Sequence, residues 1–140
     1  MKAPISIFKN FVLIKEGENK NKLNLKKRAI SLLVDLARIY ALVGNCERTL
    51  NTKERFKYSV EQGVIDKNTY DDISAAYQFV CSLRLKYQLN DIKQNRTLSN
   101  HIDPKSLNAF ERNNLKDVFR LINQLQQAAE MRFSQKGLMR

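Results

Sequence analysis

Four ionisable side chains, Asp35, Arg38, Arg84 and Glu111, fall on helical faces whose other residues are apolar. From Ala29 to Val43 the only charges are Asp35 and Arg38. Arg84 lies about 20° from Ile73 on a helical wheel, inside a stripe of Ile73, Ala76, Tyr77, Val80, Leu83 and Tyr87. Glu111 lies in a second stripe, Leu115, Val118, Phe119, Ile122, Leu125, Ala129 and Phe133, flanked by Arg112, Lys116 and Arg120. A buried charge is costly unless it is paired. Two chemistries are therefore open. The four charges sum to zero and could form an interhelical salt-bridge set that fixes helix register. Alternatively, Arg38, Arg84, Arg112 and Lys116 line a polar cleft for phosphate or carboxylate, which the planar Arg fork grips with two bonds. If Arg84 faces Glu111, Arg84→Ala strands a carboxylate at a cost of about 3–5 kcal/mol.

Other polar residues join these candidates. Gln88, one turn after Arg84, could complete either network. Asn100, His101 and Asp103 share a polar loop, where capping explains them better than chemistry. Tyr40, Tyr77 and Tyr87 at helical spacing read as core rather than as stacking platforms. Catalytic patterns are missing: there is no GxGxxG, GxxxxGK[ST], HExxH or GxSxG. His101 is the single histidine, so no Ser or Cys has a dedicated base and a zinc cluster is not expected. Asp71 and Asp72 are adjacent, and helical neighbours diverge by about 100°. The chain is not expected to be an enzyme by itself, and no cofactor is expected.

The elements that must position these groups follow from composition. The chain has 140 residues, 43% hydrophobic and 28% charged, with four Gly, two Pro and no Trp. That is a globular composition with little punctuation, which favours a few long helices. Residues 1–26 differ: ISIFKNFVLI, then EGENKN, then KLNLK read as a basic β-hairpin or extended arm, with Gly17 and Asn19 in its turn. An isolated ribbon is marginal in water, so it should pack on the helices or extend another sheet. Residues 27–140 read as a bundle of about four main helices, one domain together with the arm.

The first helix, 27–43, stops at Gly44-Asn45. Asn51 and Glu54 form a capping box for the second, which ends near Gln62-Gly63. Asp66 caps a third helix over 67–94, and Pro104 fits a first turn after Asp103. Asn108 and Glu111 make another capping box, for a last helix over 109–134. The fold class is mainly α.

The net charge is +11, of which residues 1–28 supply +6. Such a surface can attract nucleic acid, nucleotide phosphates or an acidic partner, or simply aid solubility. Cys46 and Cys81 have no metal-ligand spacing and suit a reducing compartment. Met1–Ile14 is interrupted by Lys9 and Asn10 and lacks the apolar run of a leader. The 29–43 segment is too short for a bilayer. A cytoplasmic protein without membrane contact is expected.

The ordered series KLNLKKRAI (22–30), VDLARIYAL (34–42), NTKERF (51–56), AAYQFVCSLRLKYQL (75–89), NHIDPKSL (100–107) and FERNNLKDVFRLINQLQ (110–126) resembles a bacterial family. That family is the putative nucleotidyltransferase substrate-binding domain. The resemblance implies a C-terminal helical module of signal-transduction proteins, downstream of cyclic-nucleotide-binding, CBS-type and nucleotidyltransferase-like domains. The catalytic Gly-Ser and Asp-x-Asp signature belongs to the preceding domain and is absent here. The matching positions are Asp35, Arg38, Asn51, Thr52, Arg84, Gln88, Asn100, Asp103, Glu111, Arg112 and Lys116. Two positions depart from the family pattern: Asn24 stands where a carboxylate is expected, and Ser31-Leu32 where a proline often follows.

The implied partner is a nucleotidyltransferase-like domain or a protein substrate, with a nucleotide as a further candidate ligand and a homodimer as an option. Nucleic acid, held by the Lys-rich arm and Arg112, Lys116 and Arg120, is the rival reading, and a purely structural docking or dimerisation domain is another.

Overall fold

The structure, a computed structural model, describes residues 22–43 and 51–135. Their order is β1 (Leu23–Asn24), a π-turn (Lys26–Ile30), α1 (Ser31–Val43), α2 (Thr52–Glu61), α3 (Lys67–Lys93), β2 (His101–Ile102), a 3-10 turn (Pro104–Ser106) and α4 (Ala109–Gln135). The architecture is mainly α, with one two-stranded antiparallel sheet. The N-terminal half of the expected hairpin, with Gly17 and Asn19, lies outside the described residues, as do the Gly44-Asn45 stop, Cys46 and the side chain of Phe133.

Local chemistry sets the helix ends. Asn51 Oδ1 accepts from the Glu54 N–H at 2.8 Å, and Asp66 Oδ1 from that of Thr69 at 2.7 Å. The second bond holds the Asp66 carboxyl below its ordinary range, because the N–H stabilises the anion. At the end of α2 the Gly63 N–H donates to the Val60 carbonyl at 3.0 Å, and that of Val64 to Ser59 at 2.8 Å. The chain can turn this way because Gly63 adopts φ +71°. Asn95, at φ +55°, closes α3 with the same pair of bonds, Asn95 to Ile92 at 3.1 Å and Arg96 to Asp91 at 2.8 Å. Asp103 caps the 3-10 turn through the Lys105 N–H at 3.0 Å. The Asn108–Glu111 box is reciprocal: each side chain accepts from the other's N–H, at 2.8 and 3.0 Å.

Two elements differ in kind from expectation. The KLNLK stretch pairs across the molecule, Leu23 with Ile102 and Asn24 with His101, and the Leu25 N–H donates to the Asn100 carbonyl at 2.9 Å. The polar loop expected around Asn100, His101 and Asp103 therefore contains β2. Its partner is chosen by alternation: Leu23 and Leu25 point into the core beside Ile102, and Asn24 between them points out. The first helix also opens on a π-turn, in which the Ser31 N–H reaches back to Lys26. The wider turn leaves Lys26 and Lys27 exposed while Leu25, Ala29 and Ile30 are buried.

α1 supplies the centre of the core through Leu33, Leu36, Ala37 and Tyr40. Against it lie Phe56 of α2, Ile73, Val80 and Leu83 of α3, and Leu115, Phe119, Ile122 and Leu125 of α4. The described residues of both apolar stripes read from the sequence face inward, apart from half-buried Tyr77 and Tyr87. The buried Tyr40 hydroxyl donates to the Leu125 carbonyl at 2.7 Å, and burial pushes its pKa up to about 12 despite the charge of Arg132. Among the described residues, no helix is long and apolar enough to cross a membrane.

Candidate functional site

The four charges on apolar faces do not form one network. Asp35 and Arg38 pair with each other at 3.6 Å, and their side chains are 61% and 59% exposed. α1 buries most of its surface, but the strip through Asp35, Arg38 and Leu42 faces outward. A strongly apolar composition concealed that strip. A pair this exposed contributes about 0–1 kcal/mol.

Glu111 is buried, the one charged side chain so placed among the described residues. Its partner is Lys86 Nζ at 2.6 Å, not Arg84. Burial alone would raise the Glu111 pKa, yet the Lys86 ammonium and the Asn108 N–H together hold it below its ordinary 4.5. The same bond raises Lys86. A carboxyl depressed in the folded state binds its proton more readily when unfolded. Its stabilisation is therefore complete above pH 4.5 and disappears as the pH falls through the lower folded value. Glu111→Gln is accordingly expected to flatten the acid limb of a Tm-against-pH curve. An acid limb as steep as that of the wild type would show that Glu111 carries no such linkage.

Arg84 instead reaches the β2 loop. Its Nε donates to Asn100 Oδ1 at 2.8 Å, while the Asn100 carbonyl takes the Leu25 N–H. Asn100 is thus fixed by its backbone and orients Arg84 by its side chain. The two Nη groups have no hydrogen-bond partner among the described residues. Gln88 is half-buried one turn further along α3. Because Arg84 leaves no charge stranded, the 3–5 kcal/mol expected for a buried ion pair does not apply. Arg84→Ala should cost about 0.5–1.5 kcal/mol, the worth of an ordinary hydrogen bond. Urea unfolding would check this, and a loss near 4 kcal/mol would contradict it.

The remaining candidates separate by role. Asp103 caps a turn. Arg112 and Lys116 sit half-buried along α4 beyond Glu111, and Arg120 pairs with Asp117 at 2.9 Å.

A groove of about 400 Å³ between α2 and α3 escaped the sequence reading. Phe56 and Ile73 form its apolar floor, and Thr52, Ser74, Tyr77 and Cys81 line its walls. Burial raises the Tyr77 hydroxyl, which interacts with the side chains of Thr52 and Cys81. Burial also raises the Cys81 thiol, against the opposing pull of Tyr77 and the Arg84 charge. A signal was available. Ser74, Tyr77, Cys81, Arg84 and Gln88 recur every three or four residues, a polar stripe beside the apolar one. A second groove, about 410 Å³ between α3 and α4, carries Asp72 and the paired Asp117 and Arg120.

The family model described as "Putative nucleotidyltransferase substrate binding domain" matches residues 1–133. The chain belongs to this family. Searches of curated proteins and of solved structures returned no match. In this substrate-binding domain the positions expected from the resemblance divide by use. Asn51, Asp103 and Glu111 cap local structure, and Asp35 and Arg38 satisfy each other. Arg112 and Lys116 lie half-buried on α4, and Thr52, Arg84, Gln88 and Asn100 lie by the polar stripe of α3. The departure at position 24 has a local answer: Asn24 Oδ1 accepts from the Lys27 N–H at 3.0 Å, a bond an amide makes as a carboxylate would.

Proposed function

We propose that this domain is a non-catalytic, cytoplasmic module that holds the substrate of a nucleotidyltransferase-type protein, with Arg84 as the group that reads an anionic part of that substrate. The observation that carries the reading is the guanidinium held at Nε by Asn100, its Nη fork without a hydrogen-bond partner among the described residues. A cation already held in place loses less entropy on binding, and the fork offers two parallel N–H donors to a phosphate or carboxylate. Family membership supports a substrate-binding role. Reacting groups are assigned to a partner nucleotidyltransferase-like domain. The lone histidine, His101, shares a hydrogen bond with Ser99 Oγ at 3.0 Å within the β2 loop, a loop-ordering contact.

The test is calorimetric titration with inorganic phosphate and pyrophosphate at physiological salt. A charge-assisted bond is worth about 1.5–3 kcal/mol, so Arg84→Gln should weaken binding roughly ten- to a hundredfold. Asn100→Ala should weaken it less, since it only loosens the fork. Arg38→Ala should change nothing. Equal losses in Arg38→Ala and Arg84→Gln would mean that the net charge attracts the anion, and the proposal would fall.

A further inference from the structure

We propose that the α2–α3 groove takes the ring of a small phosphate monoester whose phosphate lies on Arg84, a ligand of the nucleoside monophosphate class. The inference rests on the reading of Arg84 as the anion-binding group and adds the rest of the ligand.

Volume comes first. At about 400 Å³ the groove falls in the range of about 300–1,000 Å³ typical of small-molecule sites. Its floor is apolar, since Phe56 and Ile73 are nearly fully buried beneath it. That floor suits a flat ring. The walls are polar but almost uncharged: three hydroxyls besides Tyr77, the Gln78 amide and the Cys81 thiol. Such groups match ring nitrogens and sugar hydroxyls better than a hydrocarbon.

Charge then selects between the two grooves. Lys53 is the one ionic residue lining the α2–α3 groove, and no carboxylate lines it among the described residues. The α3–α4 groove presents Asp72 and the Asp117–Arg120 ion pair, a lining whose net charge is negative and disfavours a phosphate. Placement connects the groove to the cation. Arg84 stands about 20° from Tyr77 on the helical wheel and about 4.5 Å along the axis from Cys81. Its charge also acts on the Cys81 thiol that lines the groove.

The experiment compares inorganic phosphate, adenosine, adenosine 5′-monophosphate and uridine 5′-monophosphate by calorimetry. At least one monophosphate should bind about tenfold or more tightly than phosphate, with adenosine alone weaker than its monophosphate. Ser74→Phe fills the groove and should remove that increment while leaving phosphate binding intact. Arg84→Gln should reduce both. In the wild-type chain, the monophosphate should also slow iodoacetamide labelling of Cys81, read by peptide mass, whereas phosphate should not. This labelling decides the matter even if Ser74→Phe does not fold.

Equal affinity for phosphate and both monophosphates would overturn the inference, as would an increment that survives in folded Ser74→Phe or unchanged Cys81 labelling. Each of those outcomes leaves the Arg84 reading standing. Phosphate binding unaffected by Arg84→Gln would instead remove that reading itself.

Discussion

Replacing Leu23 and Leu25 together by alanine is expected to remove most of the stability of the protein. Both side chains are fully buried, though they come from a two-residue strand and the residue after it. Each buried Leu→Ala change costs about 2–5 kcal/mol, from lost transfer energy and the cavity left behind. Two of them cost about 4–10 kcal/mol, against a total stability of about 5–15 kcal/mol for an ordinary domain. The loss is concentrated where β1 meets β2. Collapse there would also release Asn100, and with it the hold on Arg84. Urea unfolding of the double variant beside an exposed control, Lys26→Ala, is the measurement. A shift worth less than about 1 kcal/mol would show that the strand contributes little despite its burial. The variant also tests whether residues 1–26 and 27–140 fold as one unit, because a division at residue 26 separates these leucines from the core they fill.

Phe56→Ala should cost about 3–5 kcal/mol. α2 has ten residues and buries two, Phe56 and Ser59, so the phenyl ring is its main apolar anchor. A helix of this length is not stable alone in water, where isolated helices need roughly 12–15 residues to be even marginal. Loss of the ring should therefore reduce helicity as well as stability. Far-UV circular dichroism at a temperature where the wild type is folded would show the loss. Phe56→Leu retains most of the buried area and should be far milder. Equal effects from the two substitutions would argue against a packing origin. Since Phe56 also floors the α2–α3 groove, Phe56→Ala should abolish any affinity for a ring, whereas Arg84→Gln should act without loss of helix.

Local signals in the sequence determined most of the fold. The caps at Asn51, Asp66, Asp103 and Asn108 and the stop at Gly63 depend on residues within a few positions of one another. Their hydrogen bonds close in any context that permits a helix. The inward stripes of α3 and α4 follow from the 3.6-residue period. The family, too, was legible in the order and spacing of short segments.

Partner choice was different. Glu111 was identified as buried, but whether Arg84 or Lys86 would meet it depends on where two long helices cross, which neither helix encodes alone. The pairing of Leu23 with Ile102 joins residues far apart in the chain, and no local preference specifies that register. Asp35 and Arg38 looked buried because composition reports how apolar a helix is, not which of its sides the neighbours leave uncovered. The α2–α3 groove exists only as the space between two elements, so its volume and its lack of described carboxylates came from tertiary packing. The sequence determined which side chains could do chemistry. The packing decided their partners: Asp35 meets Arg38, Glu111 meets Lys86, and Arg84 is held at Nε by Asn100.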